Sequence, residues 1–175
     1  MAMLIAIALH HRDHFSHGKA RQTFGNEAYH WTINITPEAN QSHGCSFEAT
    51  DATTIDPVTF RMTNPTMDWW FRHEEDVNLT SSPKLLGSVV IGEVADNMSS
   101  AQFRDFFARV RLPAKNTHPQ QSCVTWVADA ICALQERGWV TKFDIDQFKC
   151  WALSYADERM KGMASTEPIV KYYSI

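Results

Sequence analysis

The cysteines of this chain do not form the patterns that hold structural metals or disulfide frameworks. Its 175 residues include four cysteines, and none of them stands in a Cys-x-x-Cys pair or in a zinc-ribbon spacing. This spacing excludes a zinc ribbon and favours free thiols, as expected in a cytoplasmic protein. We expect Cys132 and Cys150, which fall in helical stretches, to pack in the core.

The chain also lacks a long apolar run and an excess of basic residues. Residues 2–9 are apolar, but no basic stretch precedes them, so we expect neither a secretory signal nor a membrane span. The net charge of −4 does not indicate a nucleic-acid partner. We predict a cytoplasmic protein with one domain over residues 1–161 and a C-terminal tail over residues 162–175; the oligomeric state stays open.

Hydrophobic periodicity predicts an α+β fold, with an antiparallel sheet packed against helices. Strands are predicted over residues 2–9, 29–35, 45–50, 58–63 and 85–94, and helices from Ser99 or Ser100 to Pro113, from Cys123 to Gly138 and from Asp144 onward. Residues 10–28 are predicted as a loop. Residues 64–83 could form a short helix or a loop that closes over a site.

The most informative stretch is the helix start at Cys123. A polar segment containing Pro119 precedes it, and apolar residues at helical spacing follow it. A thiol in the first turn lies at the positive end of the helix dipole, which favours the nucleophilic thiolate. We therefore interpret Cys123 as a candidate nucleophile.

A nucleophilic cysteine needs a base and a group that orients the base. His30 lies on the polar side of the strand at residues 29–35, and Glu48 lies on the next strand. Paired strands bring side chains on the same face to within about 5 Å, so a hairpin could place Glu48 beside His30. His43 in the hairpin turn is an alternative orienting residue, and His118 is an alternative base.

Four short motifs carry a family resemblance. They are Tyr29-His30-Trp31-Thr32-Ile33, Gly44-Cys45-Ser46-Phe47-Glu48-Ala49-Thr50, Gly92-Glu93-Val94 and Ser122-Cys123-Val124-Thr125-Trp126-Val127. They resemble fungal proteins with a His-Trp strand, a Gly-x-x-x-His-Val-Thr strand and an Asn-Cys-Gln-Thr-Trp helix start. The order of histidine, second polar residue and cysteine is similar to circularly permuted papain-like folds, the NlpC-type endopeptidases and lecithin retinol acyltransferase-like proteins.

The resemblance covers roughly residues 3–140. It implies a cysteine hydrolase or acyltransferase in which Cys123 is the nucleophile and His30 is the base. Glu48 stands where the fungal proteins have a histidine, and Ser122 replaces their asparagine. It also implies an acyl-thioester intermediate, a small-molecule or peptide-like acyl substrate, and no cofactor or metal.

Further residues are predicted to bind the substrate or its oxyanion. They are Gln120, Gln121, Ser122, Trp31 and Trp126. Amide side chains beside the nucleophile, together with the backbone N–H of Cys123, could stabilise a developing oxyanion.

Two other functions compete with this interpretation. The replaced third residue would fit a binding or scaffold module that does not use the chemistry. The histidine-rich segment at residues 10–17 could instead bind a metal, although no regular element is predicted to fix its ligands.

Overall fold

The computed structural model describes residues 2–95 and 97–174. The strands are β1 (Ala2–His11), β2 (Tyr29–Pro37), β3 (His43–Thr50), β4 (Trp70–Asn78), β5 (Leu85–Ala95) and β6 (Val170–Tyr172). The helices are α1 (Gly18–Phe24), α2 (Ser100–Phe107), α3 (Cys123–Glu136) and α4 (Ile145–Arg159). The strands form one sheet in the order β4-β3-β2-β1-β5-β6.

The α+β class predicted from periodicity is confirmed, but the sheet is mixed rather than antiparallel. The β5–β6 pair is parallel, and the other pairs of neighbouring strands are antiparallel. The segment predicted as a tail contributes β6 to this sheet.

The sheet packs one face against the helices. The alternation in β2 is confirmed, because Tyr29, Trp31, Ile33 and Ile35 are buried on the helix side. Across the interface α3 and α4 bury their own apolar residues, including Trp126, Leu134, Phe148 and Ala152. The opposite face carries the intervening polar side chains, and it forms the floor of a cavity.

The start of α2 and the end of α3 lie where the sequence predicts them, whereas the end of α2 does not. The Ser99 hydroxyl accepts a hydrogen bond from the Gln102 amide at the start of α2. Gly138 has a φ of 74° after α3, which confirms its role at the C-terminal end of that helix. Helix α2 ends at Phe107, before the predicted stop at Pro113.

Three assignments from periodicity are wrong. Residues 10–28 are not a plain loop, because β1 continues to His11 and α1 follows. Residues 58–63 do not form a strand, since the Asp56 carboxylate accepts the amides of Val58 and Thr59 and holds a turn. Within residues 64–83, strand β4 forms where a helix or loop was expected.

The expectation for two cysteines is also wrong. Cys132 and Cys150 are both exposed. On α3 the buried face runs through Ile131 and Leu134, and Cys132 points away from it. On α4 Cys150 lies between two buried positions that share the opposite face.

The connection between β4 and β5 shows that the sheet must be curled. Followed across the paired strands β3 and β2, the end of β4 at Asn78 lies at the same height in the sheet as Met3 on β1. The start of β5 at Leu85 pairs with His10, at the other end of β1. In a flat sheet the two ends would be about 30 Å apart, from four strand spacings of ~4.8 Å and seven residues of ~3.3 Å. Seven residue steps reach at most about 25 Å. The sheet therefore curls, and residues 79–84, here called the crossing loop, line the cavity on its concave face.

Candidate active site

Cys123 is the first residue of α3, and Ser122 caps the helix. The Ser122 hydroxyl accepts the Val124 amide at 3.2 Å, and the Ser122 amide donates to Thr125 Oγ1 at 3.0 Å. Cys123 is only 4% exposed. It belongs to the core and also lines the cavity, so its thiol lies where the helix layer meets the concave face.

The structure brings His30 together with both of its predicted partners. His30 Nε2 contacts Glu48 Oε2, which leaves Nδ1 as the nitrogen that can face Cys123. Burial alone would lower the pKa of His30. The Cys123 thiolate, by its charge and by a hydrogen bond, and the Glu48 carboxylate together raise that pKa to about 10. The imidazolium is therefore the favoured form of His30.

Glu48 is held on its other side by a residue that the sequence did not single out. Arg72 on β4 pairs with Glu48 across the sheet and donates from Nε to Glu48 Oε1 at 2.7 Å. Burial favours the neutral acid, but the His30 and Arg72 interactions outweigh it and lower the pKa of Glu48. The carboxylate stays ionised between two cations.

The alternatives to these residues lie elsewhere. His43 is exposed at the start of β3, where its Nδ1 lies 3.1 Å from the Ser42 hydroxyl. His118 is exposed in the connector before α3, outside the cavity lining. Of the two orienting candidates, the structure thus places Glu48 beside His30.

His10, which lies in a segment predicted as a loop, lines the cavity. It pairs with His30 across β1 and β2, and the two ring centroids are 6.2 Å apart. Burial first, and then the charge of His30, lower the pKa of His10 to about 4. A neutral second histidine therefore lies beside the charged one. Extending the β1 alternation from residue 9 to residue 11 would have placed His10 on this face.

The histidine-rich segment does not gather a set of metal ligands. Across residues 2–95 and 97–174 no group of three or more His, Cys, Asp or Glu side chains is arranged to hold a metal ion. His14 packs on Phe15 with ring centroids 4.0 Å apart, and His11 Nδ1 accepts from the Asp13 amide at 3.3 Å.

The three polar residues before and at the helix cap have different positions. Gln120 and Ser122 line the cavity beside Cys123. Gln121 does not line it, because Gln121 Oε1 accepts the Ala114 amide at 2.7 Å and braces the connector. The structure therefore does not bring Gln121 to the cavity beside the other candidate residues.

The predicted substrate-binding tryptophans are also placed elsewhere. Trp31 is 1% exposed, and its indole N–H donates to the Asn26 carbonyl at 3.0 Å. Trp126 is fully buried against Phe107. Both lie in the core on the helix side of the sheet. Trp31 belongs to the buried face of β2, and Trp126 belongs to the buried face of α3. Trp69, in contrast to Trp31 and Trp126, lines the cavity wall.

The cavity has a volume of about 1030 Å³ and extends well beyond the three candidate residues. One wall is the segment from His10 to Phe15, and another is the crossing loop. The main-chain hydrogen bond from the His11 amide to the Lys84 carbonyl, 2.9 Å long, joins these two walls. A space of this size accommodates a small-molecule or peptide-like ligand.

Comparison with known proteins gives a family and no characterised relative. No curated protein and no solved structure matches the chain. Among the described helices, none has both the length and the apolar character needed to cross a bilayer. A family model described as a family of unknown function matches residues 4–164, a span that includes Cys123, His30 and Glu48. The chain therefore belongs to the family DUF6914.

Proposed function

We propose that this protein is a thiol-dependent acyl-group enzyme, which acts on an amide, ester or thioester through Cys123, His30 and Glu48. The observation that carries the proposal is the position of His30, which interacts with both the Cys123 thiol and the Glu48 carboxylate at one end of a large cavity. Three separate elements, α3, β2 and β3, supply these side chains. Such convergence is what nucleophilic catalysis by a thiol requires.

Each residue has a defined step. The proton of the Cys123 thiol rests on His30 as the imidazolium, and the Cys123 thiolate attacks the substrate carbonyl. The oxyanion is stabilised by the Cys123 backbone N–H, with the Gln120 side chain at the cavity wall as a second donor. His30 then protonates the leaving group as the acyl-thioester forms. Water, an amine or an alcohol releases the acyl group, and Glu48 keeps the imidazole oriented throughout.

We further propose that the arrangement is a circularly permuted papain-like one. The chain order is the His30 strand, the Glu48 strand and then the Cys123 helix. This order supports the proposal together with the motif resemblance given above, because papain-like sites also place a thiol at a helix start against a histidine on a strand.

Selective alkylation tests whether Cys123 is activated. If accessibility alone governed the rates, the exposed Cys132 and Cys150 would react first and the buried Cys123 last. We expect the reverse order with iodoacetamide at about pH 6, because an unperturbed thiol is largely protonated there. Peptide mass spectrometry gives the rate at each cysteine. Labelling of Cys123 that is no faster than that of Cys45 would oppose the proposal and favour a non-catalytic binding module.

Trapping of the intermediate tests the acyl chemistry itself. Incubation with a thioester such as acetyl-thiocholine, followed by acid quench, should leave an acetyl group on Cys123 that hydroxylamine removes. His30→Asn should accumulate it more slowly, and Cys132→Ala should behave as the wild type. Acetylation confined to Cys132 and Cys150 would contradict the proposal. Addition of an amine acceptor then separates hydrolysis from transfer by the product that is released.

A further inference from the structure

A second row of polar side chains crosses the cavity floor next to the catalytic residues. Asn34 on β2 pairs with Ser46 on β3, and Ser46 pairs with Glu74 on β4. All three line the cavity, and we call them the acceptor row. Along β3 the row lies two residues from Glu48, a step of about 7 Å on the same face.

Asn34 has a polar atom with no partner. The residue is 4% exposed, and its Oδ1 is buried without a hydrogen bond to the residues that the structure describes. A buried carbonyl oxygen left without a donor is costly, on the order of 1–3 kcal/mol. Asn34 also lines the cavity. The missing donor, in a side chain at the cavity floor, indicates a bound group at this position.

The chemistry of the acceptor row favours a ligand that donates and is positively charged. Asn34 Oδ1, the Ser46 hydroxyl and the Glu74 carboxylate together offer three acceptors, which matches the three N–H bonds of a primary ammonium group. Ser46 is the shortest of the three and lies between the other two, so the row forms a depression. The nearby cations Arg72 and Lys84 are paired with carboxylates other than Glu74.

We propose that the acceptor row binds a protonated primary amine carried by the substrate, so that the enzyme acts on amino-bearing acyl compounds. The inference rests on the proposed function, because it takes Cys123 as the reacting atom. An extended substrate reaches the row from Cys123 along β2 and β3. Binding of the ammonium group to the acceptor row, which lies on paired strands of the sheet, then holds the substrate carbonyl in position next to Cys123.

Two matched alkylating probes test the inference. N-(4-aminobutyl)-2-iodoacetamide carries the ammonium group, and N-pentyl-2-iodoacetamide replaces it with a methyl group. In both, the Cys123 thiolate attacks the iodinated carbon and iodide leaves. We expect the amine probe to react about tenfold faster at Cys123, the effect of one charge-assisted hydrogen bond. The ratio at the exposed Cys132 of the same molecules corrects for any intrinsic difference between the probes.

Variants of the acceptor row complete the test. Glu74→Gln should lower the preference at Cys123 at least about threefold, because it keeps the shape and removes the charge. Glu75→Gln is the matched control, since Glu75 is the next residue on β4 but contacts Ser100 and Arg104 on the other face. Asn34→Asp keeps the side-chain shape and should raise the preference.

The outcomes separate the two proposals. Equal rates of the two probes at Cys123, or equal losses in Glu74→Gln and Glu75→Gln, would overturn the amine site while leaving an activated Cys123 intact. Slow reaction of Cys123 with unsubstituted iodoacetamide would instead count against the proposed function.

Discussion

Replacing Glu48 with glutamine is the sharpest test of the buried charges around His30. The substitution keeps the size of the side chain and removes its charge. Glu48 contacts His30 Nε2 on one side and Arg72 on the other, and its side chain is only 8% exposed. The substitution therefore removes the carboxylate between His30 and Arg72 and leaves both of these cations without it.

The expected loss of stability follows from those two contacts. The charge-assisted hydrogen bond to the half-buried His30 ring is worth ~1.5–3 kcal/mol. The Arg72 side chain is 38% exposed, so water screens its charge and its lost pairing adds less than about 1 kcal/mol. We expect the free energy of unfolding of Glu48→Gln to fall by about 2–3 kcal/mol near pH 6. In a domain of this size the melting temperature should fall by roughly 5–10 °C.

The direction of the pKa shifts predicts the pH range of this loss. The pKa of Glu48 is lowered from 4.5, so its contribution is present above that value and is lost as the pH falls. The pKa of His30 is raised to about 10, so its contribution is complete below 6.5 and is lost as the pH rises through 10. The difference between wild type and Glu48→Gln should therefore be largest between these two unfolded values, 4.5 and 6.5.

Urea unfolding, followed by tryptophan fluorescence, measures this difference at about pH 5.5 and about pH 9.5. Glu75→Gln is the control, because it removes the same charge from an exposed residue of β4 that contacts neither His30 nor Arg72. We also expect iodoacetamide to label Cys123 more slowly in Glu48→Gln near pH 6, because loss of the Glu48 carboxylate lowers the pKa of His30 and so weakens its pairing with the Cys123 thiol. A deficit that is equal at both pH values, or no larger than that of Glu75→Gln, would refute the reasoning.

Two further predictions concern the contacts of α4, one with β5 and one with α1. Gly87→Ala should lower the free energy of unfolding by about 1–3 kcal/mol, because an added Cβ would lie 2.7 Å from the Ile169 carbonyl oxygen and would press on the Tyr155 hydroxyl; an unchanged urea midpoint would show that the strand can shift there. Asp157→Asn should cost about 1–2 kcal/mol, because the half-exposed carboxylate accepts two hydrogen bonds of 2.6 Å from the Arg21 guanidinium. High salt should reduce this cost, and a loss that does not depend on salt would contradict an ionic origin.

Local patterns predicted most of the fold and the central part of the site. The alternation of β2 places His30 on the face opposite Trp31, and the Ser122 cap places Cys123 at the first turn of α3. Both signals act within a few residues along the chain, so they can be seen without knowledge of the tertiary structure. The pairing of His30 with Glu48 needed the additional assumption of a hairpin, which β2 and β3 form.

The parts that could not be predicted depend on contacts between distant segments. Strand β4 lies at the edge of the sheet and carries three consecutive acidic residues at 74–76, so it lacks the apolar alternation of a strand. The order of the strands, and with it the curl that makes the cavity, follows from pairings that periodicity does not encode. Arg72 was missed for this reason, because its segment had no assigned structure.

The charges at the Cys123 end of the cavity explain why Arg72 belongs with the predicted residues. An ionised Cys123 and a protonated His30 cancel each other, and Glu48 would then leave a net negative charge in a buried site. Arg72 would balance it, because a thiolate, an imidazolium, a carboxylate and a guanidinium together are neutral. Because burial of a net charge is costly, a carboxylate in the third position requires a second cation. A neutral orienting residue would not need one, which links the glutamate at position 48 to the arginine opposite it on β4.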